Sequence, residues 1–311
     1  MPETLTVKDT TVPGAPEVAP EKADKARSLW TDAWYDLRRN PLFVISAVLI
    51  VLLLAMAVAP GLFTGTDPRK ADLANRYLQK PHFGNVFQAD WLGYDVQGRS
   101  VWARMVYGTR NSLSVGICVT LLVTFFGSLV GTLAGYFGGW VDAILSRLTD
   151  IFFGVPFLLG AMVILTSFAE RKLYVVILSL AFLGWTQIAR VSRGAVISVK
   201  EADYVTAARA LGASTSRILL RHILPNAAAP VIVVATIALG GYIAAEATLS
   251  YLGLGIAEPT VSWGMDVSAA KDQLRTAPHT LLMPSILVSI TVLAFLMFGD
   301  AVRNALDPKM R

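Results

Sequence analysis

Histidine and cysteine, which often bind metals or act in catalysis, are few in this sequence and lie far apart. The three histidines, His82, His222 and His279, form no H-E-x-x-H pattern, so their spacing predicts no metal site. Cys118 is the one cysteine, and a single thiol forms neither an intrachain disulfide nor a metal centre. No clustered nucleophile and acid–base pair is visible within the apolar stretches, which argues against a membrane-embedded enzyme.

A phosphate-binding loop of the type G-x-x-x-x-G-K-[ST] is absent from the sequence. Such a loop cradles phosphates with its backbone amides and contacts them with its lysine. If ATP drives this protein, the nucleotide therefore binds to another polypeptide. We predict no cofactor in this chain, with ATP and Mg²⁺ belonging to partner subunits.

Glu246 is the acidic residue with the most unusual surroundings. It lies between two uncharged stretches, residues 223–245 and 247–257. A carboxylate at membrane depth is costly and usually functional, which predicts a place for Glu246 beside a substrate path. The alternative is an interfacial acid that caps or hydrogen-bonds the following helix.

The segment 190–226 has the most informative spacing. Its apolar face repeats at i, i+3, i+4 and i+7 through Tyr204, Ala207, Ala208 and Leu211, which is typical of a helix. Gly212 suits the end of that helix, and Ser214 or Thr215 suits the cap of a second one. We predict a helix, a tight turn and a helix. Its small side chains would let another protein approach the backbone closely, although an ordinary helical hairpin has the same periodicity.

The composition places these residues in a membrane protein. Of the 311 residues, 54% are hydrophobic and 16% are charged, and the mean hydropathy is +0.56. Soluble domains carry about 25% charged residues. The net charge of +5 would be compatible with nucleic-acid binding, but the basic residues lie between long apolar stretches. We therefore predict orientation in a membrane rather than a nucleic-acid partner.

Six stretches without acidic residues, lysine or arginine are long enough to cross a bilayer, which needs roughly 20 apolar residues. They cover residues 40–66, 111–141, 151–169, 173–189, 223–245 and 276–299. Transmembrane strands would alternate apolar and polar residues over about 10 positions, and these runs do not. We predict an all-α polytopic membrane protein with six transmembrane helices.

Lysine and arginine counts orient these spans. Placing the N-terminus inside puts 16 basic residues on the inner side and 11 on the outer side. This bias predicts that both termini are cytoplasmic. The resulting plan has a disordered tail (1–25), an interfacial segment with the first span (26–66), an external loop (67–110), a core with spans two to six and an internal loop at 190–222 (111–299), and a cytoplasmic tail (300–311).

The end of the external loop has a helical pattern of its own. Val101, Trp102, Met105 and Val106 fall on one helical face. Two interpretations remain open: an interfacial helix that continues into the second span, or a helix packed on neighbouring protein.

The segment 190–226 resembles the "EAA" motif of ABC importer permeases. Ala207, Ala208 and Gly212 match the motif, and so do Leu224 and Pro225. Thr206 stands where the motif has Glu. His222 stands where it has Ile, and the stretch RHILPN around His222 is similar to the peptide-importer branch.

Further stretches resemble the signatures of the dipeptide/oligopeptide branch. They run in family order through residues 92–95, 98–99, 107–110, 134–142, 250–255, 262–265 and 299–308. Each is weak alone, and together they extend from about residue 40 to 311. The chain is similar to the second, C-type permease of such an importer.

The resemblance implies a type I importer permease fold and a place in the cell inner (plasma) membrane. In that family the EAA motif forms a coupling helix that contacts an ATP-binding subunit. The resemblance therefore implies such a helix here, with the contact residues Tyr204, Thr206, Ala207, Ala208, Leu211 and Gly212. The expected partners are a homologous second permease, two ATP-binding subunits, an external peptide-binding protein, a peptide substrate and membrane lipid. A secondary transporter without ATP-binding partners is the alternative.

Overall fold

A computed structural model describes residues 34–35 and 37–306 of the chain. The predicted disordered tail 1–25, the first part of the interfacial segment, and residues 307–311 lie outside the described residues. Within them the structure is helical, and the one β-type pairing is an isolated bridge between Tyr94 and Ser100.

The longer helices are labelled here in chain order. They are α1 (Pro41–Val58), α2 (Val101–Phe137), α3 (Gly139–Phe153), α4 (Phe157–Thr166), α5 (Leu173–Lys200), α6 (Asp203–Ala210), α7 (Thr215–Tyr251), α8 (Trp263–Ala270) and α9 (Pro278–Leu306). Short helical turns at Pro60–Leu62, Leu73–Arg76 and Lys271–Gln273 lie between them.

Five of these helices, α1, α2, α5, α7 and α9, are long and apolar enough to cross a membrane. The span predicted over residues 151–169 corresponds to part of a bent pair of helices, since α3 and α4 meet there at an angle of 79°. Pro156 lies at the break, and a proline lacks the amide hydrogen that would continue the helix. The turn after α4 accepts a hydrogen bond at its Arg171 carbonyl from the Ala257 amide, close to α8.

The long helices run antiparallel between two ends of the bundle. One, the α6 end, holds α6, the end of α5 and the start of α7. The other, the α8 end, holds α8, the loop 59–100 and the turn after α4. The first turn of α1 and the last turns of α9 meet at the α6 end, where the rings of Phe43 and Phe298 stack with centroids 5.1 Å apart. The bent pair α3–α4 therefore makes the sixth crossing.

The start of α2 settles the two interpretations of its apolar face. The helix begins at Val101, with the Ser100 hydroxyl accepting a hydrogen bond from the Ala103 amide, so the last part of the predicted loop 67–110 is helical. Val101, Trp102 and Val106 are buried in a cluster that also contains Met56 and Leu92. This face packs on protein.

Close packing of α2 against α5 organises the centre of the bundle. Gly127, Gly131 and Gly135 lie four residues apart on α2, and a β-carbon at Gly127 would lie 2.6 Å from the Trp185 carbonyl oxygen. At Gly135 it would lie 2.9 Å from the Arg193 carbonyl oxygen. Small residues at this spacing let two membrane helices approach backbone to backbone.

At the other end of the chain, α9 continues to Leu306. The first seven residues of the predicted C-terminal tail 300–311 are therefore helical.

Candidate functional site

One buried side chain anchors α6 to the bundle. Val205 has 0% exposure and packs in a cluster with Val196 of α5 and Ile218, Ile223 and Ala227 of α7. Asp203 lies in the first turn of α6, where a negative charge interacts favourably with the helix dipole. A short helix is thereby held against both neighbouring spans. The sequence pattern missed Val205, because the more regular apolar repeat lies on the other face.

The end of α6 is a tight, fully hydrogen-bonded turn. The Ala213 amide donates to the Ala208 carbonyl at 3.1 Å, and the Gly212 amide donates to the Arg209 carbonyl at 3.0 Å. Gly212 has φ +78°, and this pair of bonds is the Schellman arrangement that glycine favours. The helix therefore ends where the sequence predicts, and the chain reverses at once into α7.

The face of α6 opposite Val205 points away from the bundle. Leu211 is 89% exposed and Tyr204 is 46% exposed. Thr206 and Ala207 are exposed, and Ala208 is partly buried. The structure thus brings the predicted coupling residues together on one surface of mixed small and large apolar side chains. Exposed apolar side chains of this size, held on a short rigid helix, are suited to contact another protein.

The first turns of α7 carry an unusual backbone. Residues Ile218–Ile223 form a π-helix, and the Leu224 amide donates to the Leu219 carbonyl. Pro225 follows directly, and its ring would clash with the carbonyl group four residues earlier in a regular α-helix. The wider turn relieves this clash. It places the imidazole of His222 with its centroid 6.4 Å from that of the Tyr204 ring.

The connections on both sides of α6 are firm. The Lys200 ammonium, at the end of α5, donates to the Tyr136 carbonyl of α2 at 2.5 Å. On the other side α7 runs from Thr215 to Tyr251, over 37 residues that include the π-helical turn. The helix α6 is therefore joined closely to two long helices.

Glu246 lies at the far end of α7. Its exposure is 0%, and the Ser250 hydroxyl donates to Oε1 at 2.7 Å. Oε2 has no hydrogen-bond partner among the described residues. The carboxyl is packed within the α8 end, and its role beside a substrate path stays a prediction.

An ionic network at the α8 end was not foreseen from the sequence. Arg104 Nε lies 2.6 Å from Asp266 Oδ1, and Arg99 Nε lies 2.7 Å from Asp95 Oδ2. Arg99 also reaches Glu258 Oε1 at 3.1 Å. Burial alone would lower the pKa of the Arg99 guanidinium, but the charge and hydrogen bond of Asp95 raise it above its usual value. The network joins the start of α2 and the loop before it to α8 and the segment before α8.

Two further ion pairs attach α3 to α5 near the α6 end. Arg193 Nε lies 2.5 Å from Asp142 Oδ1, and Arg190 Nη2 lies 2.9 Å from Asp150 Oδ1. A cavity of about 430 Å³ lies between α2, α3 and α5, lined in part by these two arginines. Among the described residues, no three His, Cys, Asp or Glu side chains are placed to hold a metal ion.

Comparison with known protein families shows which family this chain belongs to. Residues 127–311 match the model of the binding-protein-dependent transport system inner membrane component, and residues 28–81 match the N-terminal transmembrane domain of oligopeptide transport permease C. The chain belongs to this family of importer permeases. The resemblance predicted from the 190–226 segment and the other motifs is thereby confirmed, and an importer is favoured over a secondary transporter.

Two relatives align with this permease over nearly its whole length. It is 36% identical to the oligopeptide transport system permease protein OppC of Bacillus subtilis (strain 168), over 92% of both chains. It is also 36% identical to the dipeptide transport system permease protein DppC of Alkalihalophilus pseudofirmus, over 94% of both chains.

A solved structure supports the fold. This permease resembles a chain of the MetNI methionine ABC transporter, solved in inward-facing conformations, with a TM-score of 0.54 and 20% identity over 66% of this chain and 96% of that one. The predicted all-α fold of the type I importer permeases is confirmed. Membership in the ABC importer permeases implies that this chain works with an ATP-binding partner and another permease. Its family transports substrates and is not a known enzyme family.

Proposed function

We propose that this chain forms half of the translocation pathway of an ATP-driven importer of dipeptides and oligopeptides. The cargo is inferred from the relatives, which are named as oligopeptide and dipeptide permeases. A glutathione transport permease of Pectobacterium atrosepticum is 34% identical, so glutathione, itself a tripeptide, is the second candidate cargo.

The observation that carries the proposal is the exposed apolar face of α6. Val205 fixes the helix on the bundle, while Leu211 and Tyr204 project from it. An ATP-binding subunit that encloses this face would move α5 and α7 when nucleotide changes its shape. Such coupling requires that nucleotide stabilise two states of the pair of permeases differently.

The partners follow from this arrangement. A homologous permease would complete the pathway, two ATP-binding subunits would hold ATP and Mg²⁺, and an external binding protein would deliver the peptide. The α6 end would face the cytoplasm with both termini, in agreement with the excess of basic residues assigned to that side. The remaining apolar surface would contact lipid in the inner membrane.

Substitution of Leu211 tests the proposal. We expect Leu211→Ala to weaken capture of the co-expressed ATP-binding subunits at least about tenfold, because burying a leucine contributes about 2 kcal/mol. Uptake of a labelled dipeptide by cells that depend on this chain should fall with it.

Leu62→Ala is the matched control, since Leu62 is 82% exposed at the α8 end. It should leave both capture and uptake unchanged. Full capture and uptake with Leu211→Ala would contradict docking on α6. Wild-type cells that take up no dipeptide or oligopeptide would contradict the cargo.

A further inference from the structure

The serine-lined position of Glu246 has an oxygen without a partner. Oε1 accepts from Ser250, while Oε2 is buried without a hydrogen bond among the described residues. The hydroxyls of Ser112, from α2, and Ser262, before α8, lie close enough to donate hydrogen bonds to the carboxyl after a small adjustment. These hydroxyls accept the amide hydrogens of Trp263 and Met265, at 3.2 and 3.3 Å. The surroundings of Glu246 are therefore polar and neutral.

Another carboxylate lies close enough to Glu246 to repel its charge. Asp266, on α8, acts on Glu246 through its charge, and its own side chain is 11% exposed. Arg104 is already paired with Asp266, and Arg99 with Asp95. With every group ionised, Arg99 and Arg104 would already share the partly buried carboxylates of Asp95 and Asp266 and the exposed carboxylate of Glu258, besides the fully buried Glu246. Neither guanidinium group would be left to compensate the charge of Glu246.

Other basic groups on the helices packed against α7 are bonded elsewhere. Arg110 of α2, two positions from Ser112, donates to the Ala57 and Val58 carbonyls of α1. The charged groups of α5, Arg190, Arg193 and Lys200, are bonded to Asp150, Asp142 and the Tyr136 carbonyl near the α6 end. Close to Glu246, one turn along α7, Ile243 packs with Leu53 of α1 and Phe295 of α9. On α9, His279 lies against Gly93 of the loop before α2.

An uncompensated buried charge costs far more than binding a proton, so a carboxyl in such surroundings becomes neutral. We propose that Glu246 is a proton-binding site, occupied while α8 is packed on α7. The proton comes from water on the α8 side and forms an O–H bond at Oε2, which can then donate to a serine hydroxyl. This inference goes beyond the proposed function and does not depend on docking at α6.

The packing of α8 determines whether the site holds its proton. Gly264, in the first turn of α8, lies so close to α7 that a β-carbon there would approach the Ala247 Cα to 2.7 Å. Separation of α8 from α7 would admit water and let the carboxyl ionise. The packed state therefore binds one more proton than the separated state. Its stability is greatest at low pH and is lost as the pH rises.

Infrared spectroscopy of the full chain in lipid nanodiscs tests the proposal. We expect wild-type protein at neutral pH to give the carbonyl stretch of a protonated carboxyl, and Glu246→Gln to lack it. Glu258→Gln is the control, because the Glu258 side chain is 61% exposed and should not contribute to the band. A band that persists in Glu246→Gln, or that is lost only in Asp266→Asn, would overturn the assignment, and so would its absence from the wild type.

Thermal unfolding provides an independent measurement. The wild-type melting temperature should fall between mildly acidic and mildly alkaline pH, and Glu246→Gln should reduce this fall. Glutamine has the shape of a protonated glutamate and carries no charge. Failure of Glu246→Gln to fold, or an unchanged pH dependence in that variant, would therefore count against the proposal.

Discussion

At the scale of single residues, Gly212 illustrates how a local constraint shapes the docking surface. Its φ of +78° belongs to the left-handed region, yet a β-carbon there would have no atom within 4 Å. The requirement for glycine is thus conformational and not a matter of space. The turn it permits lets Leu211 project while Val205 stays buried one face away.

We expect Gly212→Ala to destabilise this turn by about 1 kcal/mol and Gly212→Asn by less, since asparagine tolerates the left-handed region better. Hydrogen exchange reports the change, because the Ala213 amide is bonded to the Ala208 carbonyl across the turn. Its exchange should accelerate in Gly212→Ala and much less in Gly212→Asn. Equal protection in all three proteins would refute this explanation of the turn.

At the scale of elements, the pairing of α2 with α5 is set by glycines on one helix and backbone carbonyl groups on the other. The spacing Gly127, Gly131, Gly135 repeats every four residues and so returns to one face of α2. Hydroxyls reinforce the contact, since Ser192 donates to the Ser128 carbonyl at 3.3 Å. Lipid tails are as apolar as the helices, so the hydrophobic effect does not drive helices together within a membrane. Close packing drives their association instead.

Two glycine-to-alanine substitutions should have opposite effects on thermal stability. In Gly131→Ala the new methyl group would overlap the Ala189 carbonyl oxygen, which we expect to cost about 1–3 kcal/mol. Gly194 lies on the exposed side of α5, where an added methyl group would have no atom within 4 Å. Gly194→Ala should therefore stabilise the helix, by about 0.5–1 kcal/mol.

The opposite effects are checked by measuring the melting temperatures of the two variants in the same lipid environment. If Gly131→Ala melted at or above the wild-type temperature, the α2–α5 contact would have to be looser than described.

At the scale of the whole molecule, the α8 end is assembled by charges that are distant in sequence. Arg104 and Asp266 are 162 positions apart, and Arg99 and Glu258 are 159 apart. These pairs join the first turn of α2 and the loop before it to α8 and the segment that follows α7. The α6 end, by contrast, is assembled mainly by the apolar cluster around Val205.

Breaking the Arg104–Asp266 pair on one side should cost about 3–5 kcal/mol, because the remaining charge stays buried. Arg104→Met and Asp266→Leu should each lower the melting temperature, and the double variant should recover much of the loss. Lys172→Met is the control, since the Lys172–Glu170 pair is exposed and should matter little. Additive losses in the double variant would contradict a direct pair.

The sequence predicted what depends on local periodicity and composition. The helical turn ending at Gly212 and five of the six apolar helices needed no knowledge of neighbours. Pro156 predicts that its span can kink, but the sequence could not give the size of the bend, because a proline within an apolar run is compatible with a kinked span or a broken one. Nor could it predict the partners of Arg99 and Arg104, since charge pairing across more than 150 positions leaves no local pattern.

The length of α7 has a mechanical consequence. At 1.5 Å per residue its 37 residues extend about 55 Å, well beyond the roughly 30 Å of a hydrocarbon core. A helix of that length magnifies small rotations: if it turned as one body by about 5° around one end, the opposite end would move by about 5 Å. A shift of one side-chain width where α7 leaves α6 would then be enough to pack or separate the residues around Glu246, near the other membrane surface.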